Sequence, residues 1–276
     1  MTRGKTRSRV KTVVVQLLIL VALICAWQYL PEVNWISNHI SFLSRFVVSS
    51  PTAVCQTLWD LLLGKANQPV VWPYLRNTVE ATVLGTAVGA VVGVFIGLIL
   101  ADLRQLNGIL RPFIVAANSI PRIALVPVIV IVFGPTVHSS IVAAFFIVFF
   151  LVFFNAYEGA MSVPAASIDR VVLMGASRFQ LIVKVRMPYA AAWTVAALPN
   201  AVAFGLVGVV TAELMMGTLG MGRLLLTSVN DLNASLTFAV VVLLSILGMA
   251  LVLLVDLVKR RWLRWWSATG SAGSSA

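Results

Sequence analysis

Six apolar runs, each close to the length that crosses a lipid hydrocarbon core, dominate this chain: residues 13–30, 79–100, 113–133, 137–154, 190–211 and 236–257. A helix needs about 20 apolar residues for that crossing. In lipid the backbone must satisfy its own N–H and C=O groups, and runs of this length do so only as helices. The expected fold is therefore an all-α integral membrane protein with six transmembrane helices in one domain. Only 11% of the 276 residues are charged, against about 25% in a soluble domain. The third and fourth runs are separated by Gly134-Pro135-Thr136 alone, which predicts a tight hairpin.

The net charge of +11 would suit nucleic acid if it formed one solvated face. It lies instead between and beyond the apolar runs, so nucleic acid is not an expected partner. Lysine and arginine gather on the cytoplasmic side of membrane proteins. With the N-terminus inside, fifteen of them fall there: Arg3, Lys5, Arg7, Arg9, Lys11, Arg104, Arg111, Arg170, Arg178, Lys184, Arg186, Lys259, Arg260, Arg261 and Arg264. Outside lie Arg45, Lys65, Arg76 and Arg223. Both termini are thus expected in the cytoplasm. Residues 1–12 form a basic tail, 13–265 the membrane domain and 266–276 a small, polar, disordered tail. Trp262, Trp265 and Trp266 suit an interfacial anchor. The longest outer segment, 31–77, contains an amphipathic stretch at 53–63, either lying on the lipid surface or packed on the bundle. The first run is too long for a cleaved signal core, and Cys25 lacks the small preceding residue of a lipoprotein site.

No catalytic constellation is legible. His39 and His138 stand apart, no cluster has metal-ligand spacing, and no phosphate loop occurs. The chain is expected to be no enzyme and to hold no cofactor or metal.

Several polar or glycine-rich features interrupt the runs. Gly85, Gly89, Gly93 and Gly97 recur every fourth residue, a face on which a neighbouring backbone approaches closely. Packing inside one protomer and packing between copies both fit. Asn118, Pro121 and Pro127 mark the third run. They predict a kink that shapes the bundle, or a broken helix lining a substrate cavity. Asn155 and Asn200 are expected to make interhelical hydrogen bonds before they contact a ligand. Residues 213–222 are apolar but glycine-rich, with Glu213, Gly217, Gly220 and Gly222. They predict a partly buried outer loop, either a gate beside a translocation path or a simple packed loop.

The most informative polar interruption is 158–188. Pro164 suits a helix start, and Ile168, Val171, Val172 and Gly175 follow at helical spacing. Gly175 permits a sharp change of direction. Phe179, Ile182 and Val183 then continue on a second short helix, and Pro188 marks entry to the fifth span. Such a helix–turn–helix suits a soluble partner or an anionic lipid surface equally.

This segment resembles the EAA loop of binding-protein-dependent ABC importer permeases: Glu-Ala-Ala, three residues, Gly, nine residues, then Ile-x-Leu-Pro. The spacing is kept by Asp169, Gly175, Val185, Met187 and Pro188, with Asp169-Arg170-Val171 in place of Glu-Ala-Ala. The run from Ser119 to Pro127, Ala212-Glu213, Leu219-Gly220-Met221-Gly222 and the closing Lys259-Arg260-Arg261-Trp262 are similar to the sulfonate, taurine and nitrate branch. The likeness covers about residues 70–265.

It implies the type I importer permease fold in a bacterial inner membrane, with a second copy as a homodimer partner. Cytoplasmic ABC ATPase subunits, carrying ATP and Mg, would dock on a coupling helix at 165–186. Asp169, Arg170, Gly175, Ala176 and Phe179 would sit at that joint, with Val185, Met187 and Pro188 at its base. An extracytoplasmic binding protein or lipoprotein would deliver a small anionic or zwitterionic solute. The alternative is a secondary transporter or channel that works without an ATPase. It would need ionisable residues at the helix centres, and these runs hold almost none.

Overall fold

The computed structural model describes residues 3–29, 48–65 and 69–262. Every regular element among them is helical: α1 (Arg3–Tyr29), α2 (Pro51–Leu63), α3 (Val71–Asp102), α4 (Arg104–Ser119), a 3-10 turn (Arg122–Leu125), α5 (Val126–Phe133), α6 (Val137–Met161), α7 (Ala165–Leu173), α8 (Arg178–Leu181), a π turn (Ile182–Arg186), α9 (Met187–Met216), α10 (Met221–Asn230) and α11 (Ala234–Trp262). His39, Arg45, Trp265, Trp266 and the tail at 266–276 lie outside the described residues.

Among the described residues, four helices are long and apolar enough to cross a membrane: Val71–Asp102, Val137–Met161, Arg178–Met216 and Ala234–Arg260. The pair Pro112–Ser119 and Arg122–Phe133, bent by 80°, is a broken span or a re-entrant loop, and as one span it would make a fifth crossing. The first expected span is helical but strongly apolar only over Val14–Tyr29. At 1.5 Å per residue that is about 24 Å, less than a full hydrocarbon core. Its helix begins at Arg3, so the basic segment expected as a tail is wound into the same rod.

The chain forms two compact units. One contains the described residues up to Val71 together with Leu224–Leu243. In it, Ser50 caps α2 by accepting from the Ala53 amide, Pro51 opens the first turn, and Gly64 closes the helix at φ 63°. These are the expected start and stop residues of a short helix. The Trp27 indole donates to the Val48 carbonyl at 3.1 Å and lies 5.5 Å from the Phe238 ring. The Ser49 and Ser235 hydroxyls meet at 2.8 Å.

The other unit contains Trp72–Arg223 and the described residues from Leu244. Its centre is the packing of α3 and α9 on α6. A Cβ at Gly85 would lie 2.6 Å from the Ile141 carbonyl oxygen, one at Gly89 2.8 Å from that of Phe145, and one at Gly93 2.9 Å from that of Phe149. The glycine stripe is therefore filled by α6 of the same chain, which decides for packing within the protomer. Gly208 likewise admits Ile147, since a Cβ there would stand 2.5 Å from its Cδ1. Without a hydrophobic drive between helices in lipid, close approach of this kind supplies the packing energy. The opposite face of α3 exposes Val91 and Phe95, as a lipid-facing surface should.

Two expected boundaries are corrected. The second short helix and the fifth span are not separate: α8, the π turn and α9 form one 39-residue helix, Arg178–Met216. Proline inside a helix removes a donor and crowds the carbonyl four residues back. Here the wider π turn lies immediately ahead of Met187 and Pro188, so the helix passes the proline without breaking. Residues 213–222 are also not one loop. Glu213 and Met216 end α9, Gly217 closes it at φ 60°, and α10 starts at Met221.

Candidate coupling segment and membrane sites

The hairpin at 163–186 is built from its capping residues. Pro164 caps α7. At the other end, the Ala176 amide donates to the Val171 carbonyl at 3.2 Å and the Gly175 amide to Val172 at 2.9 Å. This is a Schellman closure, with Gly175 as its left-handed residue at φ 81°. Ser177 and Gln180 then form a reciprocal capping box on α8: the Gln180 amide donates to Ser177 Oγ at 3.3 Å, and the Ser177 amide to Gln180 Oε1 at 2.9 Å. Val163, Ile168 and Leu181 bury one another beneath the turn, with Val185 and Tyr189 packed against them.

A small core of its own leaves the tip free to be apolar. Leu173 is 87% exposed, Met174 85% and Phe179 73%. Asp169, Arg170 and Gly175 are exposed beside them, Ala176 is half-buried, and Val185, Met187 and Pro188 form the base. The structure thus gathers the expected coupling residues on one projection, and adds Leu173 and Met174 to them.

Arg186 anchors that projection. It is 2% exposed, donates to the Ala101 carbonyl, and places Nη1 3.2 Å from Asp102 Oδ1. A cation on the last carbonyls of α3 is favoured by the helix dipole as well as by the acid. Counted from sequence as one orientation charge among fifteen, it is a buried tie between two helices. Its only sequence signal was its place inside the Val185-x-Met187-Pro188 end of the motif.

The third apolar run is interrupted by an 80° bend. Ile120 and Pro121 leave helical geometry between α4 and the 3-10 turn. Asn118 Oδ1 accepts from Arg122 Nη2 at 2.7 Å, and the Arg122 guanidinium lies 6.0 Å from the centre of the Phe154 ring. Pro127 sits in the first turn of α5, where its missing N–H costs nothing.

Glu213 does not line an open path. It is 2% exposed, and its carboxylate accepts from Thr78 Oγ1 at 2.8 Å and from the Gly222 amide at 2.8 Å. Thr78 Oγ1 in turn accepts from the Met221 amide at 2.9 Å. A Cβ on Gly220 would collide with the Glu213 carboxyl group, and one on Gly222 would lie 2.7 Å from Glu213 Cβ. The glycines admit the acid, which caps the Gly222 amide while Thr78 caps the Met221 amide at the start of α10. The result is a buried knot of α3, α9 and α10. Thr78, its second member, carried no motif by which sequence could single it out.

A cleft of about 490 Å³ opens between α6 and α9, lined by Leu151, Asn155, Trp193, Asn200, Phe204 and three alanines of α9. Asn155 does not bridge helices: its Nδ2 donates to the Leu151 carbonyl of its own helix at 2.8 Å. Asn200 has no hydrogen-bond partner among the described residues and is exposed.

Comparison with known proteins agrees with this architecture. Residues 89–264 match the family described as binding-protein-dependent transport system inner membrane component. The chain is 29% identical over 220 residues to the riboflavin transport system permease protein RibX of Chloroflexus aurantiacus, covering 80% of this chain and 81% of that protein. It is 22% identical over 245 residues to the putative aliphatic sulfonates transport permease protein SsuC of Escherichia coli, covering 89% of each. Among solved structures, the inward-facing MetNI methionine ABC transporter shares the fold at a TM-score of 0.56 and 22% identity, over 70% of this chain and 93% of that one. A multi-pass, all-helical inner-membrane chain with this hairpin and this likeness belongs to the permease components of binding-protein-dependent ABC transport systems.

Proposed function

We propose that the chain is the membrane-spanning subunit of an ATP-driven importer, and that a separate cytoplasmic ABC ATPase, the carrier of ATP and Mg, docks on the hairpin tip. The observation that carries this reading is the exposed apolar cluster of Leu173, Met174 and Phe179 on a turn held by its own core and by Arg186. Apolar side chains exposed that fully mark a contact for a protein or a membrane, and membership of the transport family favours the protein. The tip carries Asp169 and Arg170 at its flank, which suit a polar rim. In this reading both termini face the cytoplasm, a second copy completes the path, and a binding protein or lipoprotein delivers solute on the far side. Closure of the ATPase pair then moves the helices that continue from the hairpin. Relatives named for riboflavin and for aliphatic sulfonates leave the charge of the cargo to be argued from this chain itself.

The test is co-purification with a co-expressed ABC ATPase subunit from the same organism. The wild-type chain should retain the ATPase through detergent extraction. A Leu173→Asp, Phe179→Asp double variant should insert normally and lose it. Undiminished retention by that variant sinks the docking role.

A further inference from the structure

We propose that the cleft between α6 and α9 is a contact site for an uncharged, flat, hydrogen-bonding solute such as a heteroaromatic ring. The proposal rests on the importer reading and departs from the anionic or zwitterionic cargo that the resemblance implied. The volume of about 490 Å³ suits a molecule of a few rings. Trp193, Asn200 and Phe204 recur along one face of α9, and Leu151 and Asn155 stand one turn apart on α6.

Four observations set the chemistry. First, none of the residues lining the cleft is charged, and taking an anion out of water without a counter-charge is strongly unfavourable. Arg122 is not among them and is engaged by Asn118 and Phe154. Second, two carboxamides face the same space from different helices. A carboxamide presents a donor and an acceptor side by side, the complement of a heterocycle edge. Asn200 lies mid-helix in a span, exposed and without a partner among the described residues, a placement that lipid penalises and a polar solute rewards. Third, Trp193 is seated by Gly159: a Cβ there would lie 2.9 Å from Trp193 Cβ and 3.0 Å from its Cγ. A flat ring stacks on an aromatic surface of this kind. Fourth, Pro199 precedes Asn200 inside α9 and removes the N–H that would close on the Val195 carbonyl, loosening the helix where the cleft opens.

The experiment uses the purified full-length chain in lipid nanodiscs, without ATPase or binding protein. Two uncharged fluorescent heterocycles, 2-aminopurine and lumichrome, are titrated, with ethanesulfonate as an anionic competitor. At least one heterocycle should bind saturably. Asn200→Ala and Trp193→Leu should each weaken that binding ten-fold or more, Asn200→Gln should weaken it less, and excess ethanesulfonate should leave it unchanged. Asn200 is exposed, so its replacement disturbs no core packing. Absence of saturable binding by both probes, equal binding by Asn200→Ala, or displacement by ethanesulfonate would overturn the proposal. The same Asn200→Ala protein should still retain the ATPase. If the wild-type chain fails to retain it, the importer reading fails independently of the nanodisc result.

Discussion

Arg186 Nη1 and Asp102 Oδ1 stand 3.2 Å apart where the hairpin base meets the end of α3. The guanidinium is almost wholly buried and the carboxylate largely so. Removing one partner of such a pair costs about 3–5 kcal/mol, because the other charge is left buried and alone. Arg186→Leu should therefore lower the unfolding temperature in detergent, and adding Asp102→Asn should restore part of the loss. An unchanged melting curve for the single variant would remove Arg186 from the list of structural ties.

Gly175 makes a different demand. Nothing lies within 4 Å of where its Cβ would be, so size is not the obstacle. Its φ of 81° is. Left-handed backbone costs an ordinary residue roughly 1–2 kcal/mol, and β-branched residues suffer most. Gly175→Val should insert in the membrane at wild-type level, loosen hydrogen-exchange protection at 171–181, and abolish solute-stimulated ATP hydrolysis in the assembled system. Gly175→Asn should do all of this more weakly. Normal stimulation in the valine variant would count heavily against the hairpin as the coupling element.

Gly89 tests the helix interface. A side chain there meets the Phe145 carbonyl and Val148, and overfilling a packed interface costs about 1–3 kcal/mol. Gly89→Leu should destabilise the chain, whereas Val91→Leu, on the exposed face of the same helix, should not. Equal thermal stability of the two variants would place α3 and α6 further apart than described.

Thr78 and Glu213 should behave as a coupled pair. Thr78→Val keeps the shape but removes the donor to Glu213 and the acceptor for the Met221 amide. Leaving buried polar groups unmade costs about 1–3 kcal/mol. A double-mutant cycle with Glu213→Gln should give a coupling energy of about 0.5 kcal/mol or more. A cysteine at Thr218 should also be labelled faster by a soluble maleimide once Thr78 is valine. Strict additivity and unchanged labelling would show that the knot does not hold α10 in place.

The sequence made the helical membrane fold readable because lipid imposes one backbone solution on long apolar runs. The glycine stripe of α3 and the turn at Gly175 were readable for the same kind of reason, since one residue type serves a geometric need. Burial was harder. Arg186 and Glu213 look alike in sequence to the exposed charges around them, and only their partners, Asp102 and Thr78, distant along the chain, make them interior. Pro188 misled because proline usually starts or ends a helix; the π turn ahead of it has no residue signature. The cleft was unreadable as a site, since Asn155 and Asn200 gain their meaning from Trp193 and Gly159 on facing helices.

The unbroken helix from Arg178 to Met216 gives the molecule leverage. Phe179 at one end and Glu213 at the other are 34 residues apart on one rod, about 51 Å at helical rise. A tilt of roughly five degrees at the tip would carry the far end through about 4 Å by that geometry. No loop lies between them, and the give in the rod is confined to the turn around Pro199. If the hairpin is the docking element proposed above, a push on it would also shift the Glu213 knot, one displacement felt at two ends of the same lever.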